Sequence, residues 1–251
     1  IEHQRLARRP EVPPVRALQL ERAPALERVE AHVDLVVAAR DLAADIKHVC
    51  GFAPEVISEK KLKSAKGKAV LYTGTAASSA KLRALLSSGA FGAQSAPGPE
   101  AFYIASFPEK GIVAIIGGDP RGVLYGAYEF SRKALGIDPA EFWTGKRPPR
   151  RNTLAIPELD IRETSPVFPL RGYFDNDSDM LANWQGKKLV IEYETWKEMI
   201  DSLARMRYNF IDIFDTLGRA EFWNWPYYKK MAPDYKVDLK MVEKIIDYAH
   251  S

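Results

Sequence analysis

Two short apolar runs in the last third of the chain each end in acidic residues. They cover residues 168–174 (FPLRGYF) and 208–214 (YNFIDIF), and each is followed by residues with helical apolar spacing. The polar residues that follow the runs are Asp175, Asn176, Asp177 and Asp215. The order strand, helix, strand, helix is typical of the beginning of a (β/α) barrel, in which polar groups gather where strands end.

Helices and strands also alternate in the first part of the chain. Helical spacing runs from Leu26 to about Cys50, and Gly51 follows as a C-terminal stop. The other predicted elements are strands at 68–73, 101–107 and 112–117, a helix at 79–86, and a helix opened by Asp119 and closed by Gly136. This order predicts one sheet with helices packed on one face.

The predicted fold class is α/β, with a small α+β sandwich as accessory domain followed by the start of a (β/α)8 barrel. The predicted segments are a tail or edge strand at 1–25, the accessory domain at 26–137, a linker at 138–167, and two βα units at 168–251. Within the linker, residues 153–161 are expected to form a strand that returns to the accessory domain. Because a closed barrel needs eight units, we expect a fragment of a longer protein.

Composition excludes several classes of protein. A net charge of +3, from 36 basic and 33 acidic residues, is too balanced to indicate a nucleic-acid partner. No apolar run approaches the ~18 residues of a membrane span. The single cysteine, Cys50, excludes an internal disulfide, and the four histidines are scattered, so we expect no metal and no cofactor.

Both predicted strand ends open into loops longer than the usual ~2–6 residues. Besides the four polar residues named above, these loops contain the aromatic residues Trp184 and Trp223. Carboxylates and amides bind vicinal hydroxyls, and aromatic rings cover the apolar faces of sugars, so a carbohydrate site is one interpretation. The alternative is that the acids cap helices or pair with basic residues while the aromatic side chains pack the loops.

Arg171 lies inside the first of the two runs. Its guanidinium could donate a fork of hydrogen bonds to sugar hydroxyls or to a carboxylate. The alternative is an ion pair with Asp212 or Asp215 of the neighbouring strand. The two interpretations are compatible, because an ion pair would orient the fork.

A glycine-containing turn at 117–122 (GGDPRG) follows a strand and opens a helix, which is the position of a phosphate-binding loop. It has neither GxGxxG nor GxxxxGK[ST], and Pro120 removes one N–H donor. We therefore favour a structural turn, and a nucleotide-binding domain is the least favoured hypothesis.

Three stretches resemble a known family. Residues 38–54 (AARDLAADIKHVCGFAP), 115–143 (IIGGDPRGVLYGAYEFSRKALGIDPAEFW) and 170–177 (LRGYFDND) resemble the N-terminal half of glycoside hydrolase family 115, the α-glucuronidases of glucuronoxylan. The layout is more distantly similar to families 67 and 20. The family-115 stretch RGxFxND is matched by Arg171, Gly172, Phe174, Asn176 and Asp177. Ser178 stands where that family usually carries Glu.

The resemblance implies a small α+β domain ahead of a (β/α)8 catalytic barrel. It implies that Arg171 binds sugar hydroxyls, and that the general acid and base lie on later strands. The expected function is the N-terminal part of an exo-acting glycoside hydrolase, α-glucuronidase-like on xylan-derived sugars, in a secreted or periplasmic protein. Its expected partner is an oligosaccharide or glycan. The alternative is a non-catalytic carbohydrate-binding or structural module.

Overall fold

The computed structural model describes residues 18–20, 28–30, 36–62, 69–93, 95–175, 193–213 and 239–250. The strands of these residues are β1 (Leu18–Leu20), β2 (Arg28–Glu30), β3 (Glu55–Ile57), β4 (Val70–Thr75), β5 (Phe102–Phe107), β6 (Ile112–Gly117), β7 (Leu154–Ile156), β8 (Asp160–Glu163), β9 (Gly172–Asp175) and β10 (Phe210–Ile213). The helices are α1 (Val36–Cys50), α2 (Ala80–Ser87), α3 (Pro120–Phe130), α4 (Glu141–Thr144), α5 (Tyr193–Arg205) and α6 (Leu239–His250). A π-helical turn, Ser131–Leu135, continues α3.

A six-stranded mixed sheet forms the centre of the N-terminal part, in the order β3-β2-β4-β6-β5-β8. The first four strands are parallel neighbours, whereas β5 runs antiparallel to both β6 and β8. The predicted strands and helices between residues 68 and 135 are confirmed within two residues, except that the last turn of the final helix is π-helical. Ser79 and Asp119 cap their helices by accepting hydrogen bonds from backbone N–H groups.

Helices cover both faces of this sheet, so the prediction that they pack on one face is wrong. Leu71 belongs to the core beneath α1 and α3, whereas its neighbours Val70 and Tyr72 pack with Leu82 and Leu86 of α2. Successive side chains of a strand point to opposite faces, so a strand that is apolar throughout must be covered twice. The continuous apolar sequences of β4 and β6 are therefore the signal that both faces of the sheet are covered.

The prediction of a helix from Leu26 is also wrong, because Arg28–Glu30 is a strand and α1 begins only at Val36. The backbone of β2 pairs with β3 on one side and with β4 on the other. Such pairing with distant residues overrides the local helical spacing on which the prediction rested. The predicted end of α1 is confirmed at Cys50, and Gly51 follows with a φ of 77°.

Two strands replace the single strand predicted at 153–161. β7 pairs antiparallel with β1, which lies within the predicted tail or edge strand at 1–25, and β8 joins the six-stranded sheet beside β5. Pro157 lies between them, where it has no N–H to donate to a ladder. Of the two strands, β8 thus joins the six-stranded sheet, whereas β7 belongs to a separate two-stranded sheet.

The C-terminal part contains two parallel strands joined by a helix. β9 and β10 are hydrogen-bonded neighbours, α5 lies between them in the chain, and α6 follows. Tyr173 and Ile211 pack against a cluster centred on Trp196 and Met199 of α5. On the opposite face of the strands, Phe174 and Phe210 are about half exposed, at 51% and 48%. One face of this pair is thus covered by helices, whereas these two aromatic side chains of the other face are only half buried.

Candidate functional site

Arg171 lies just before β9, whereas Asp175 is the last residue of that strand. At 3.3 Å per residue their backbones are about 13 Å apart, at opposite ends of the strand. Asp175 is therefore at the carboxyl end, where α/β barrels bind substrates, and Arg171 is at the amino end. The remaining predicted site residues lie outside the described residues, and they stay predictions: Asn176, Asp177, Trp184, Asp215 and Trp223.

The Arg171 guanidinium donates all of its hydrogen bonds to protein groups. Nη2 donates to Glu100 Oε2 at 2.5 Å and to the Tyr125 hydroxyl at 3.4 Å. Nε donates to the Arg207 carbonyl at 2.7 Å, and Nη1 donates to the Phe168 carbonyl at 2.8 Å. The ion-pair alternative thus holds for Arg171, but its partner is Glu100, which lies in the turn before β5, and not Asp212. Sugar binding by Arg171 stays untested.

Glu100 is the centre of this arrangement, which we call the Glu100 cluster: Glu100, Arg121, Arg171 and Asn209. Besides the bond from Arg171, its carboxylate accepts hydrogen bonds from Arg121 Nη1 at 2.7 Å and from Asn209 Nδ2 at 2.9 Å. The Glu100 side chain is only 10% exposed. Two of the three donors are charged, and charge-assisted hydrogen bonds are about twice as strong as neutral ones.

Asn209 connects the cluster to the start of β10. Its side-chain Oδ1 accepts from the Arg171 backbone N–H at 2.9 Å, and its own N–H donates to the Arg171 carbonyl at 3.0 Å. Because Arg171 and Asn209 each directly precede a strand, this reciprocal pair sets the register in which β9 and β10 begin. The sequence showed neither Glu100 nor Asn209 as a partner of Arg171; the only signal was an acid in a Gly-Pro turn.

The pKa of the Glu100 carboxyl lies below its usual value. Burial acts to raise this pKa, but hydrogen bonds from Arg121, Asn209 and Arg171 together outweigh burial. A carboxyl whose pKa is lower in the folded than in the unfolded state stabilises the fold above its unfolded pKa. That stabilisation is lost as the pH falls through the folded pKa.

We therefore expect the wild-type chain to lose more stability than Glu100→Gln when the pH falls from 6 to 3. The reason is that only the wild type must protonate this carboxyl, against three hydrogen-bond donors. Urea unfolding of both proteins at a series of pH values measures the difference. Glu109→Gln, at an exposed glutamate, is the control and should follow the wild type. Parallel curves for wild type and Glu100→Gln would contradict the expectation.

A second ion pair joins α1 to α5. Asp45 accepts two hydrogen bonds from the Arg205 guanidinium, at 2.7 and 2.9 Å, and one from the Ser131 hydroxyl at 2.6 Å. Burial acts to lower the pKa of Arg205, but the charge of Asp45 and its hydrogen bonds raise it above the usual value. Arg205 also lies over the ring of Tyr128, 4.4 Å from its centroid. The N-terminal part is thus joined to α5 by a buried, satisfied pair.

A cleft of about 900 Å3 opens between α3, α5, α6 and the amino end of β10. Arg121, Tyr125 and Asn209 line it together with Tyr208 and His250. The cleft therefore lies on the side of the Glu100 cluster, at the end of the strands opposite Asp175, and does not coincide with the predicted sugar site. Within the described residues no group of three or more potential metal ligands is present, and no helix is long and apolar enough to cross a membrane.

The turn at 117–122 has a structural role in this arrangement. Asp119 caps α3 by accepting from the Gly122 N–H at 2.7 Å, and its other oxygen accepts from the Glu100 N–H at 3.0 Å. Arg121, which could have faced a phosphate, donates to Glu100 instead. These contacts favour the structural-turn interpretation over a phosphate-binding loop.

Comparisons with solved structures place this fold among glycosidases. A family GH115 4-O-methyl-α-glucuronidase "with specificity for decorated arabinogalactans" is similar with a TM-score of 0.56 and 22% identity over 75% of this chain and 25% of its own. The Streptomyces plicatus N-acetyl-β-hexosaminidase is similar with a TM-score of 0.55 and 14% identity over 93% of this chain and 40% of its own. At such identities the likeness shows the fold.

A third similar structure is the GH20 β-N-acetylhexosaminidase from Streptomyces coelicolor A3(2), with a TM-score of 0.55 and 16% identity over 93% of this chain and 41% of its own. The chain thus spans between a quarter and two fifths of these glycosidases. No curated protein matches the chain. Residues 17–130 match the family model described as "Glycosyl hydrolase family 67 N-terminus". The predicted resemblance to glycoside hydrolases is confirmed by this match and by the fold shared with solved glycosidases.

Proposed function

We propose that this chain is the N-terminal part of an exo-acting glycoside hydrolase: an accessory domain followed by the first two βα units of a (β/α)8 catalytic barrel. Its proposed substrate is an oligosaccharide or glycan, with α-glucuronidase-like action on xylan-derived sugars. The observation that carries the proposal is the glycosyl hydrolase domain match at 17–130, followed in the same chain by two parallel strands joined by a helix.

The partial exposure of two aromatic side chains of β9 and β10 supports a barrel. Sheets made only of parallel strands occur almost always with both faces covered. Here the α5 side is covered, whereas Phe174 and Phe210 are half exposed on the other side, beside Gly172 and Asp212. Further strands that close a barrel would bury these aromatic side chains in its interior.

The proposed sugar site lies at the carboxyl ends of the two strands. Asp175 ends β9 there, and the other proposed ligands follow β9 or β10 in the sequence: Asn176, Asp177, Trp184, Asp215 and Trp223. Active sites of α/β barrels lie at this end because the loops that follow the strands converge there. The general acid and base would come from later strands, as the resemblance implies.

A non-catalytic carbohydrate-binding module is the second candidate. The observation that favours it is that carboxylates at strand ends, such as that of Asp175, can bind sugar hydroxyls without a general acid or base. Both candidates require a sugar at the carboxyl ends of β9 and β10. They differ in whether acid and base groups are supplied to the bound glycosidic bond.

We expect the chain to bind methyl α-D-glucuronide, and Asp175→Asn to weaken this binding about tenfold, because a charged hydrogen bond to a sugar hydroxyl is lost. Calorimetric titration measures the affinity, with N-acetyl-D-glucosamine and methyl β-D-xyloside as further probes. The matched control is Asp160→Asn, an exposed acid of β8 whose partner Arg162 is also exposed. Its affinity should equal that of the wild type.

Hydrolysis separates the two candidates. The natural protein that contains this chain is expected to release the aglycone from an aryl α-D-glucuronide or an aryl N-acetyl-β-D-glucosaminide. Sugar binding without release from either substrate would favour the non-catalytic module. If none of the three probes binds at millimolar concentration, and neither aryl glycoside is hydrolysed, both candidates fail.

A further inference from the structure

Two non-glycine residues in the described part of the chain have positive φ, and both present an acceptor to Arg171. Glu100 has a φ of 57° and accepts through its carboxylate, and Arg207 has a φ of 66° and accepts through its carbonyl. Residues other than glycine rarely adopt this left-handed conformation, and they keep it only where the surrounding structure holds them in it. The coincidence of both at one guanidinium calls for a physical cause.

The backbone around Glu100 is held by the α3 turn. Its N–H donates to Asp119 Oδ2 at 3.0 Å, and the Gly118 N–H donates to the Ala101 carbonyl at 3.0 Å. The two segments approach so closely that a Cβ at Gly118 would lie 1.9 Å from the Gly98 carbonyl oxygen. The backbone of Glu100 is therefore held against the start of α3 by contacts that do not involve Arg171.

Arg207 is held by the same sheet from the other side. Its guanidinium donates to Glu163 at the end of β8 at 3.1 Å and lies 3.5 Å from Glu129 of α3. It also covers the ring of Phe102 in β5, 5.0 Å from the centroid. The side chain of Arg207 thus contacts the N-terminal sheet, while its carbonyl turns to Arg171.

We propose that Glu100 is a positioning residue: through Arg171 it fixes the amino ends of β9 and β10 against the N-terminal domain, with Arg207 as the second support. Arg171 then connects the two parts of the chain. Each of these strands has only four residues, so the position of its amino end also determines where its carboxyl end lies. The consequence for sugar binding rests on the proposed function, but the connection itself does not.

The geometry makes this connection stronger than an ordinary surface ion pair. Exposed pairs contribute little because water screens them and long side chains lose entropy. In the Glu100 cluster the side chains of Glu100 and Arg171 are 10% and 20% exposed, and every donor of the Arg171 guanidinium has a protein acceptor. Removal of Glu100 would leave a half-buried guanidinium without its counter-charge.

Two intrinsic probes test the proposal without any sugar. All five tryptophans, from Trp143 to Trp225, lie after residue 142, and the single cysteine, Cys50, is buried in the N-terminal core. Tryptophan fluorescence therefore reports unfolding of the C-terminal part, and thiol labelling of Cys50 reports unfolding of the N-terminal part. In urea the two transitions of the wild type are expected to coincide.

In Glu100→Ala we expect the fluorescence midpoint to fall by about 1 M urea while the Cys50 midpoint changes much less, so that the transitions separate. Glu109→Ala, at an exposed glutamate near the end of β5, is the control and should keep coincident transitions. If Glu100→Ala does not fold, Glu100→Gln gives the same comparison, because it keeps the shape and removes the charge.

The pairing with Arg171 is tested by the double variant Glu100→Ala/Arg171→Ala. Because both substitutions break one connection, its fluorescence midpoint should lie close to that of the more affected single variant. Additive shifts, or transitions that stay coincident in Glu100→Ala and Glu100→Gln, would overturn the proposal. Since no sugar enters these measurements, a failure here leaves the glycosidase proposal standing, and a failure to bind sugar leaves this one standing.

Discussion

Replacement of Arg205 by methionine is expected to lower the free energy of unfolding by about 3–5 kcal/mol. Asp45 is buried, and it accepts two of its three hydrogen bonds from this guanidinium. Methionine keeps the apolar stem but leaves the carboxylate in a low-dielectric site without its counter-charge. Removal of one partner of a buried pair costs far more than the pair contributes against two apolar residues.

Urea unfolding of wild type and Arg205→Met measures this loss. Arg162→Met is the control, because Arg162 and its partner Asp160 are exposed at 46% and 62%; it should cost about 1 kcal/mol or less. The double variant Asp45→Asn/Arg205→Met should recover part of the stability, because it has no buried carboxylate charge at position 45. A loss in Arg205→Met as small as that of the control would show that water reaches Asp45.

Gly118→Ala is expected to cost about 3 kcal/mol or more. An added Cβ would lie 1.9 Å from the Gly98 carbonyl oxygen and 2.6 Å from that of Pro97. Both contacts are with backbone, so no flexible side chain can move aside, and the loop that carries Glu100 would have to shift. We expect the urea midpoint of the tryptophan fluorescence to fall together with the thermal unfolding midpoint, because the substitution also disturbs the Glu100 cluster.

Gly145→Ala is the matched control for this substitution. Gly145 ends α4 with a φ of 63°, and nothing lies within 4 Å of a Cβ built there. Alanine at this position meets only the intrinsic cost of the left-handed region, about 1 kcal/mol. Thermal unfolding thus compares the steric clash in Gly118→Ala with the backbone strain in Gly145→Ala. Equal losses of stability would mean that residues 97–101 can shift to make room for the added methyl group.

Strands rich in apolar residues and helices with good caps were predictable from sequence in this chain. β6 matches its predicted bounds, and α3 begins at Pro120 after its Asp119 cap. β2 was not predictable, because its three residues, Arg28–Glu30, have one apolar member. That strand is stable through backbone pairing on both sides, which no local pattern shows.

The candidate site was predicted in a similar, partial way. Arg171 was recognised as a special residue, yet its partner was sought on the adjacent strand. The actual partner, Glu100, precedes it by 71 residues and lies in the turn before β5. An arginine pairs with whichever carboxylate the tertiary structure brings near, and spacing along the chain carries no information about that choice. Asp175 was predicted to follow directly after the apolar run at 168–174, and it is the last residue of β9, which begins only at Gly172.

The edge position of β8 has a consequence for chimeric enzymes. Residues 164–171 lead directly from that outermost strand of the N-terminal sheet to β9, and two of them, Pro166 and Pro169, limit the paths the backbone can take. Eight residues span at most about 28 Å. A donor accessory domain grafted onto this βαβ unit must therefore finish on a strand at the same edge and bring its own acid opposite Arg171. Otherwise the connecting segment would be too short, or the Arg171 guanidinium would have no carboxylate partner.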